Sequence, residues 1–361
     1  MTSATSLQKT PVTIITGFLG AGKTTLIRHV LENAKGRRLA LIVNEFGDVG
    51  VDGDILKSCG VENCPEDNII ELANGCICCT IRGDLVEALN ALWEQRKDKK
   101  IHFDRVVIET TGVANPGPVA QTFFMDDDVA DHYVLDAVVT LVDAKHGQQQ
   151  LNEHEEAQRQ VGFADQIFIT KTDLVSEAEV DALRHRLMHM NPRAPISAIS
   201  KGVVPLNAVL DLKGFNLNAK LDIDPHFLEQ EDHDHAHCGH DHDHSHCGHD
   251  HGHEHHHHDH AGHTDRIQSF VFRSDKPFDH KKLEDFLGGI LEVFGEKMLR
   301  YKGVLYVKGT NRKVVFQGVH QMMGSDLAGP WGAEPKQTRM VFIGIDLPKD
   351  TLLAGLEGCL V

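Results

Sequence analysis

The run Gly17-Phe-Leu-Gly-Ala-Gly-Lys-Thr24 has the spacing G-x-x-x-x-G-K-[ST]. Glycines in such a run let successive peptide N–H groups converge on phosphate oxygens. The helix that follows adds the positive end of its dipole. Gly17, Phe18, Leu19, Gly20, Ala21 and Gly22, followed by Lys23, Thr24 and Thr25, are therefore candidates to hold nucleotide phosphates. Lys23 would reach the β- and γ-phosphates, and Thr24 would hold Mg²⁺ through its hydroxyl. The glycine order is not the G-x-G-x-x-G of dinucleotide sites, which disfavours NAD.

Two later strand ends supply more of such a site. Val106-Val-Ile-Glu-Thr-Thr-Gly112 is an apolar run ending in an acid and then a glycine. Glu109 would hold Mg²⁺ directly or through water, and the Gly112 peptide N–H would sense a γ-phosphate. Ile167-Phe-Ile-Thr-Lys-Thr-Asp173 is the second. A carboxylate can accept two hydrogen bonds from the N1–H and N2–H₂ edge of guanine, an edge that adenine lacks. Asp173 would thus select GTP, Lys171 would lay its stem over the purine, and Thr170 and Thr172 complete the tetrapeptide.

Soft ligands form a further group. The eight cysteines cluster rather than spread, and Asn74-Gly-Cys-Ile-Cys-Cys-Thr80 places Cys76, Cys78 and Cys79 within four residues. Thiolates suit Zn²⁺ and other borderline or soft ions. Three protein ligands leave a fourth place, which suits an ion that must be released. Sixteen of the 26 histidines lie between His233 and His263. There His235-Ala-His-Cys-Gly-His-Asp-His242 recurs as His244-Ser-His-Cys-Gly-His-Asp-His251. Imidazoles interspersed with Asp would bind several divalent ions weakly, and Cys238 and Cys247 add a soft ligand to each repeat.

The elements that must position these residues follow from hydrophobic patterning. The chain has 361 residues, 41% apolar and 25% charged, as in an ordinary globular protein. Short apolar runs at Val12–Thr16, Leu39–Val43, Val106–Ile108, Ala137–Val142 and Gln166–Ile169 alternate with helix-like stretches. This alternation predicts an α/β fold with a parallel sheet covered on both faces. Residues 1–10 read as a disordered N-terminus, 11–215 as a P-loop domain, 216–264 as an acidic His-rich linker and 265–361 as a small α+β domain. The net charge of −17 is concentrated in and at the end of the linker, where residues 229–265 include ten acids and no Lys or Arg. No basic excess exists to bind nucleic acid. No apolar run is long enough to span a membrane. The polar start, without an apolar core, makes a cytoplasmic location the expectation.

Four stretches together, Gly17-Phe-Leu-Gly-Ala-Gly-Lys-Thr-Thr-Leu26, Asn44-Glu-Phe-Gly47, Gly75-Cys-Ile-Cys-Cys79 and Glu109-Thr-Thr-Gly112, resemble the CobW-type GTPases. These are P-loop metallochaperones related to the urease and hydrogenase nickel-insertion GTPases. Asn115–Phe124, Leu299–Gly303 and Val341–Ile345 support the resemblance. It implies a SIMIBI-type P-loop fold with a small C-terminal α+β domain. It implies hydrolysis of GTP to GDP and phosphate, coupled to delivery of a divalent metal to a client metalloprotein. Zinc is the first choice of metal, with Co²⁺ or Ni²⁺ as alternatives.

Carried over by position, Cys76, Cys78 and Cys79 would form the metal site, with Glu45 and Asp48 as further ligands. Asp48 is also the candidate to orient the attacking water. Asn44–Asp52 would be a switch loop, and Cys79, Thr80, Ile81, Arg82 and Gly83 would run beside the nucleotide. The resemblance leaves room for a homo-oligomer. Two departures stand out: Thr170 replaces the usual Asn before Lys-x-Asp, and Val43 occupies a position where a relative has Glu. Competing readings are the same GTPase serving cobalamin synthesis or nitrile hydratase, a zinc buffer that does not turn over nucleotide, and an ATP-dependent kinase. Asp173 weighs against the last.

Overall fold

The computed structural model describes residues 9–34, 36–44, 69–72, 80–215 and 265–361. The first part is built on seven parallel strands. These are β1 (Thr10–Gly17), β2 (Leu39–Asn44), β3 (Ile69–Leu72), β4 (Arg105–Glu109), β5 (Tyr133–Asp143), β6 (Gln166–Thr170) and β7 (Ile196–Ala198). They lie in the order β3-β2-β4-β1-β5-β6-β7. β1, the strand that feeds the glycine loop, is therefore flanked by β4 and β5. Every residue of β4 and β6 is buried, which is why these strands read as continuous apolar runs rather than alternating ones.

The helices are α1 (Lys23–Asn33), α2 (Thr80–Lys97), α3 (Pro116–Met125), α4 (Asp127–His132), α5 (Gly147–Glu153), α6 (Glu155–Phe163) and α7 (Glu177–Met190). Leu26, Ile27, Val30 and Leu31 form the buried stripe of α1. α7 starts in a capping box, with Ser176 and Glu179 each satisfying the other's backbone N–H. The strand β1 begins at Thr10, inside the stretch expected to be disordered. Thr10 is buried, pairs with Tyr133, and accepts a hydrogen bond from Arg96.

The second part has five antiparallel strands: β8 (Ile267–Ser274), β9 (Met298–Leu305), β10 (Arg312–Val319), β11 (Met322–Pro330) and β12 (Thr338–Ile345). Their order is β11-β10-β9-β12-β8. Side chains alternate. Phe270, Phe272, Met340 and Phe342 join a core with Leu283, Leu287 and Ile290 of α8 (His280–Phe294) and Leu352 and Leu356 of α9 (Lys349–Gly358). Val271, Leu299, Val341 and Ile343 turn the other way and share a core with Val161 and Phe163 of the first part. The approach is close: a Cβ at Gly162 of α6 would lie 2.8 Å from Leu299 Cδ1.

The strand β11 was not expected from the sequence. Met322-Met-Gly-Ser-Asp-Leu-Ala-Gly-Pro330 is exposed along most of its length and pairs with β10 at the sheet's edge, so it carries no apolar alternation. Among the described residues, no helix is long and apolar enough to cross a membrane.

Candidate nucleotide site

Parallel pairing aligns the carboxyl ends of the central strands. Ile15 pairs with Glu109, Gly17 with Leu141, and Asp143 with Thr170. The glycine loop at the end of β1 therefore lies between Glu109 on one side and Asp143 and Thr170 on the other. Gly20 and Gly22 have φ of +75° and +97°, and among the described residues a Cβ at either would meet no atom within 4 Å. The loop thus takes a left-handed path that glycine follows without strain, and the described residues leave the space facing these glycines clear. Gly22 is the cap from which α1 starts, so the helix's first N–H groups belong to Lys23, Thr24 and Thr25.

Lys23 Nζ donates to the carbonyls of Gly17 and Phe18, at 3.0 and 3.5 Å. It is folded over the loop it belongs to. Thr24 Oγ1 lies 3.3 Å from Glu109 Oε1, so the first helical turn and the end of β4 bring a hydroxyl and a carboxylate together. That oxygen pair suits a hard divalent cation such as Mg²⁺. Gly112 touches the same loop: a Cβ there would come within 2.8 Å of the Leu19 backbone nitrogen. Any other residue would push the loop away. Gln160 of α6 fixes this approach, its Nε2 donating to the carbonyls of Gly112 and Ala114 at 3.1 and 3.0 Å. Phe18 stacks on His154 with ring centres 4.6 Å apart.

Thr170 is buried, and its hydroxyl donates to the Ala21 carbonyl at 2.9 Å. It braces the phosphate loop. Lys171 takes a left-handed φ of 55° and sends Nζ to Asp143 Oδ2 at 2.8 Å. Thr172 and Asp173 lie on a short 3₁₀ turn, where Asp173 is exposed and accepts from Ser200 Oγ at 3.5 Å.

Sequence reasoning passed over Asp143, Gln160 and Ser200. Asp143 is buried and also meets His146 Nδ1 at 3.0 Å. Burial alone would raise its pKa. Hydrogen bonds from Lys171, His146 and the Lys145 peptide N–H outweigh burial and hold the carboxyl below its ordinary value. A signal for it existed, since Leu141-Val-Asp143 repeats the strand-end acid seen at Glu109. Gln160 had no local signal, because its partners lie more than forty residues away.

The remaining candidates fall differently. Thr80, Ile81, Arg82 and Gly83 form the first turn of α2. Cys76, Cys78, Cys79, Glu45 and Asp48 lie outside the described residues, as does the histidine tract. Among the described residues, no cluster of His, Cys, Asp and Glu is arranged to hold a metal ion.

A phosphate-cradling loop on a central parallel strand, ringed by strand-end acids, defines a P-loop nucleotide-binding protein. Residues 11–198 match the family described as CobW/HypB/UreG, nucleotide-binding domain, and residues 267–360 match the cobalamin synthesis protein cobW C-terminal domain. The chain belongs to this CobW family of P-loop GTPases. A relative in Escherichia coli K12 named zinc chaperone YjiA is 37% identical over 350 residues, covering 96% of this chain and 98% of its own. A Sinorhizobium protein named zinc chaperone CobW is 34% identical over 376 residues, covering 96% of each chain. The crystal structure of Zn(II)-bound YjiA GTPase from E. coli is similar with a TM-score of 0.74 and 34% identity, covering 98% of this chain and all of that one.

Proposed function

We propose that this protein is a GTP-hydrolysing metallochaperone that takes up a divalent metal, zinc, and passes it to a client metalloprotein. The observation that carries the hydrolytic half is the meeting of Thr24 Oγ1 and Glu109 Oε1 at 3.3 Å beside the phosphate loop. These two side chains would hold Mg²⁺, which supplies charge neutralisation at the phosphate oxygens when bound. Lys23 Nζ would leave the carbonyls of Gly17 and Phe18 for the β- and γ-phosphates, trading two neutral acceptors for charged ones. Peptide N–H groups from Gly20 to Thr25 would stabilise the charge that develops as water attacks the γ-phosphorus. Asp173 would accept from the guanine edge, and Thr170 would keep the loop in register with it. Asp48 is the proposed water-orienting residue.

The metal half rests on the relatives named zinc chaperones and on the sulfur-rich run in this sequence. Cys76, Cys78 and Cys79, with Glu45 and Asp48, are the proposed cargo ligands. The decisive experiment measures GTP turnover of the full chain against buffered free Zn²⁺, together with Zn²⁺ affinity in the nucleotide-free, GTP and GDP states. Turnover is expected to respond to Zn²⁺, and affinity to differ between nucleotide states. Identical affinity in all three states overturns the coupling.

A further inference from the structure

A single residue, His154, turns the chain from α5 into α6. It ends the first helix, donating its N–H to the Gln150 carbonyl at 2.9 Å, and opens the second. Its position and its chemistry do not match. A helix-opening residue in extended backbone, here at φ −128° and ψ 115°, ordinarily accepts from the first N–H groups of the helix, and Ser, Thr, Asp or Asn does this best. Among the described residues, the His154 side chain makes no such bond. With 43% of that side chain exposed, it also adds little to the core, and its Nε2 stands 4.0 Å from Glu153 Oε2. What the ring does touch is Phe18 of the phosphate loop, stacked 4.6 Å away at an interplanar angle of 25°.

Phe18 is well placed to pass that contact on. Its ring belongs to the same buried cluster as Val142, Leu151 and Ala157. With them it lines a space of only about 10 Å³, too little for more than one water. Its carbonyl accepts the Ala21 N–H at 3.1 Å and Lys23 Nζ at 3.5 Å. Gln150, one turn before His154, donates from Nε2 to the neighbouring Leu19 carbonyl at 3.4 Å. The first half of the phosphate loop is thus held from the α5–α6 corner, through one ring and one amide.

The corner itself is fixed. Gln158 is buried, donates from Nε2 to the Leu151 carbonyl at 2.8 Å, and accepts at Oε1 the peptide N–H groups of Arg266 and Ile267 at 3.0 and 3.3 Å. Arg186 Nη1 donates to the Gln148 carbonyl and to Gln148 Oε1, at 3.0 and 2.8 Å. His154 therefore reaches the phosphate loop from a rigid support.

These contacts differ in what becomes of them when nucleotide binds. Lys23 Nζ leaves the Gly17 and Phe18 carbonyls for the phosphates, so those ties are lost at the moment the loop's N–H groups must keep their aim. The Phe18–His154 stack and the Gln150 bond use no group that the phosphates take, and they persist. We propose that His154 is a positioning residue for nucleotide binding: its ring holds Phe18, and through Phe18 the phosphate loop, in the conformation that receives the β- and γ-phosphates. This deepens the GTPase reading given above and rests on it.

The test measures affinity of the full chain for GTP and GDP with Mg²⁺, and single-turnover hydrolysis of bound GTP. His154→Ala should weaken both nucleotides about fivefold, the size expected for loss of one aromatic contact, and leave hydrolysis of bound GTP close to that of the parent. His154→Phe keeps a ring and should restore affinity. His154→Asn supplies the helix cap without the ring. It should melt no lower than the parent and still bind as weakly as His154→Ala. In a Phe18→Leu background, His154→Ala should add nothing further, because its effect runs through that ring. The proposal is overturned if His154→Ala binds as the parent does, or if it slows hydrolysis of bound GTP as much as it weakens binding. It is also overturned if His154→Phe fails to restore affinity, if His154→Asn restores it, or if the losses of His154→Ala and Phe18→Leu add. A parent chain that does not bind GTP removes the GTPase reading and this proposal with it; any of the other outcomes, with the parent binding GTP, removes this proposal alone.

Discussion

At the carboxyl edge of the parallel sheet, polar groups are arranged around clear space. Lys23 rests on neutral carbonyls, a Cβ at Gly20 or Gly22 would meet no atom of the described residues within 4 Å, and Asp173 is exposed. At the seam between the sheets, polar groups are arranged against each other. Arg186 meets Asp265 at 2.5 Å, and Asp165 is gripped by Arg193 and Arg300. The first arrangement has weak internal bonds that a ligand can replace. The second has strong ones that nothing replaces without leaving a charge stranded. One chain thus separates the task of exchanging a ligand from the task of holding two folded units together.

The largest expected effect tests the seam. Asp165→Asn leaves two buried guanidiniums facing each other and should destabilise the protein by about 3–5 kcal/mol in urea unfolding. A loss under about 1 kcal/mol would mean the pair is not buried in solution. The same carboxyl gives a pH dependence. Despite complete burial, which alone would raise it, Arg300 and Arg193 hold its pKa below the ordinary carboxylate value. Its stabilisation is therefore present above the unfolded carboxylate pKa and lost as pH falls through the folded one.

Next comes the nucleotide edge. Lys23→Ala should cost at least about a hundredfold in GTP turnover with little change in melting temperature, since its Nζ rests on the carbonyls of its own loop. Retained turnover would break the assignment of the loop. A smaller effect is expected for Thr170→Val, which strands the Ala21 carbonyl. It should cost about 1–2 kcal/mol and weaken GTP binding more than it slows turnover of bound GTP. Equal effects on both would place Thr170 in the reaction rather than behind it.

The smallest effect returns to the seam. His320 is buried, with Nδ1 3.1 Å from the Glu296 carbonyl and its ring against Phe163. Burial, reinforced by Arg159 and opposed by the Glu296 and Gly295 hydrogen bonds, holds its pKa below the ordinary imidazole value. The unfolded chain takes the proton first, near pH 6.5, so stability should decline as pH drops below that point. His320→Asn tolerates the left-handed φ of 51° and should flatten this decline. An unchanged slope would remove His320 as its source.

Legibility in the sequence followed the same division. The edge is built from short consecutive runs, so the loop, Glu109 and the Thr170–Asp173 turn could be read from local spacing. Thr170 stands out in the sequence only as a replacement for the usual Asn, yet its hydroxyl braces Ala21, a contact that only pairing of β6 with β5 makes visible. The seam is built from residues far apart in the chain. Asp165, Arg193 and Arg300 belong to three separate stretches, and no periodicity announces that they converge. β11 was missed for a different reason, since an exposed edge strand with two glycines has no apolar rhythm to detect.

The helix α6 carries one last consequence. Gln160 on it holds the Gly112 carbonyl, and two residues later Gly162 is pressed against Leu299 of the C-terminal sheet. That sheet is therefore the abutment behind the loop that touches Leu19. Cutting the chain after residue 215 would not release a self-sufficient motor from a passenger; it would take away the wall on which one side of the motor leans.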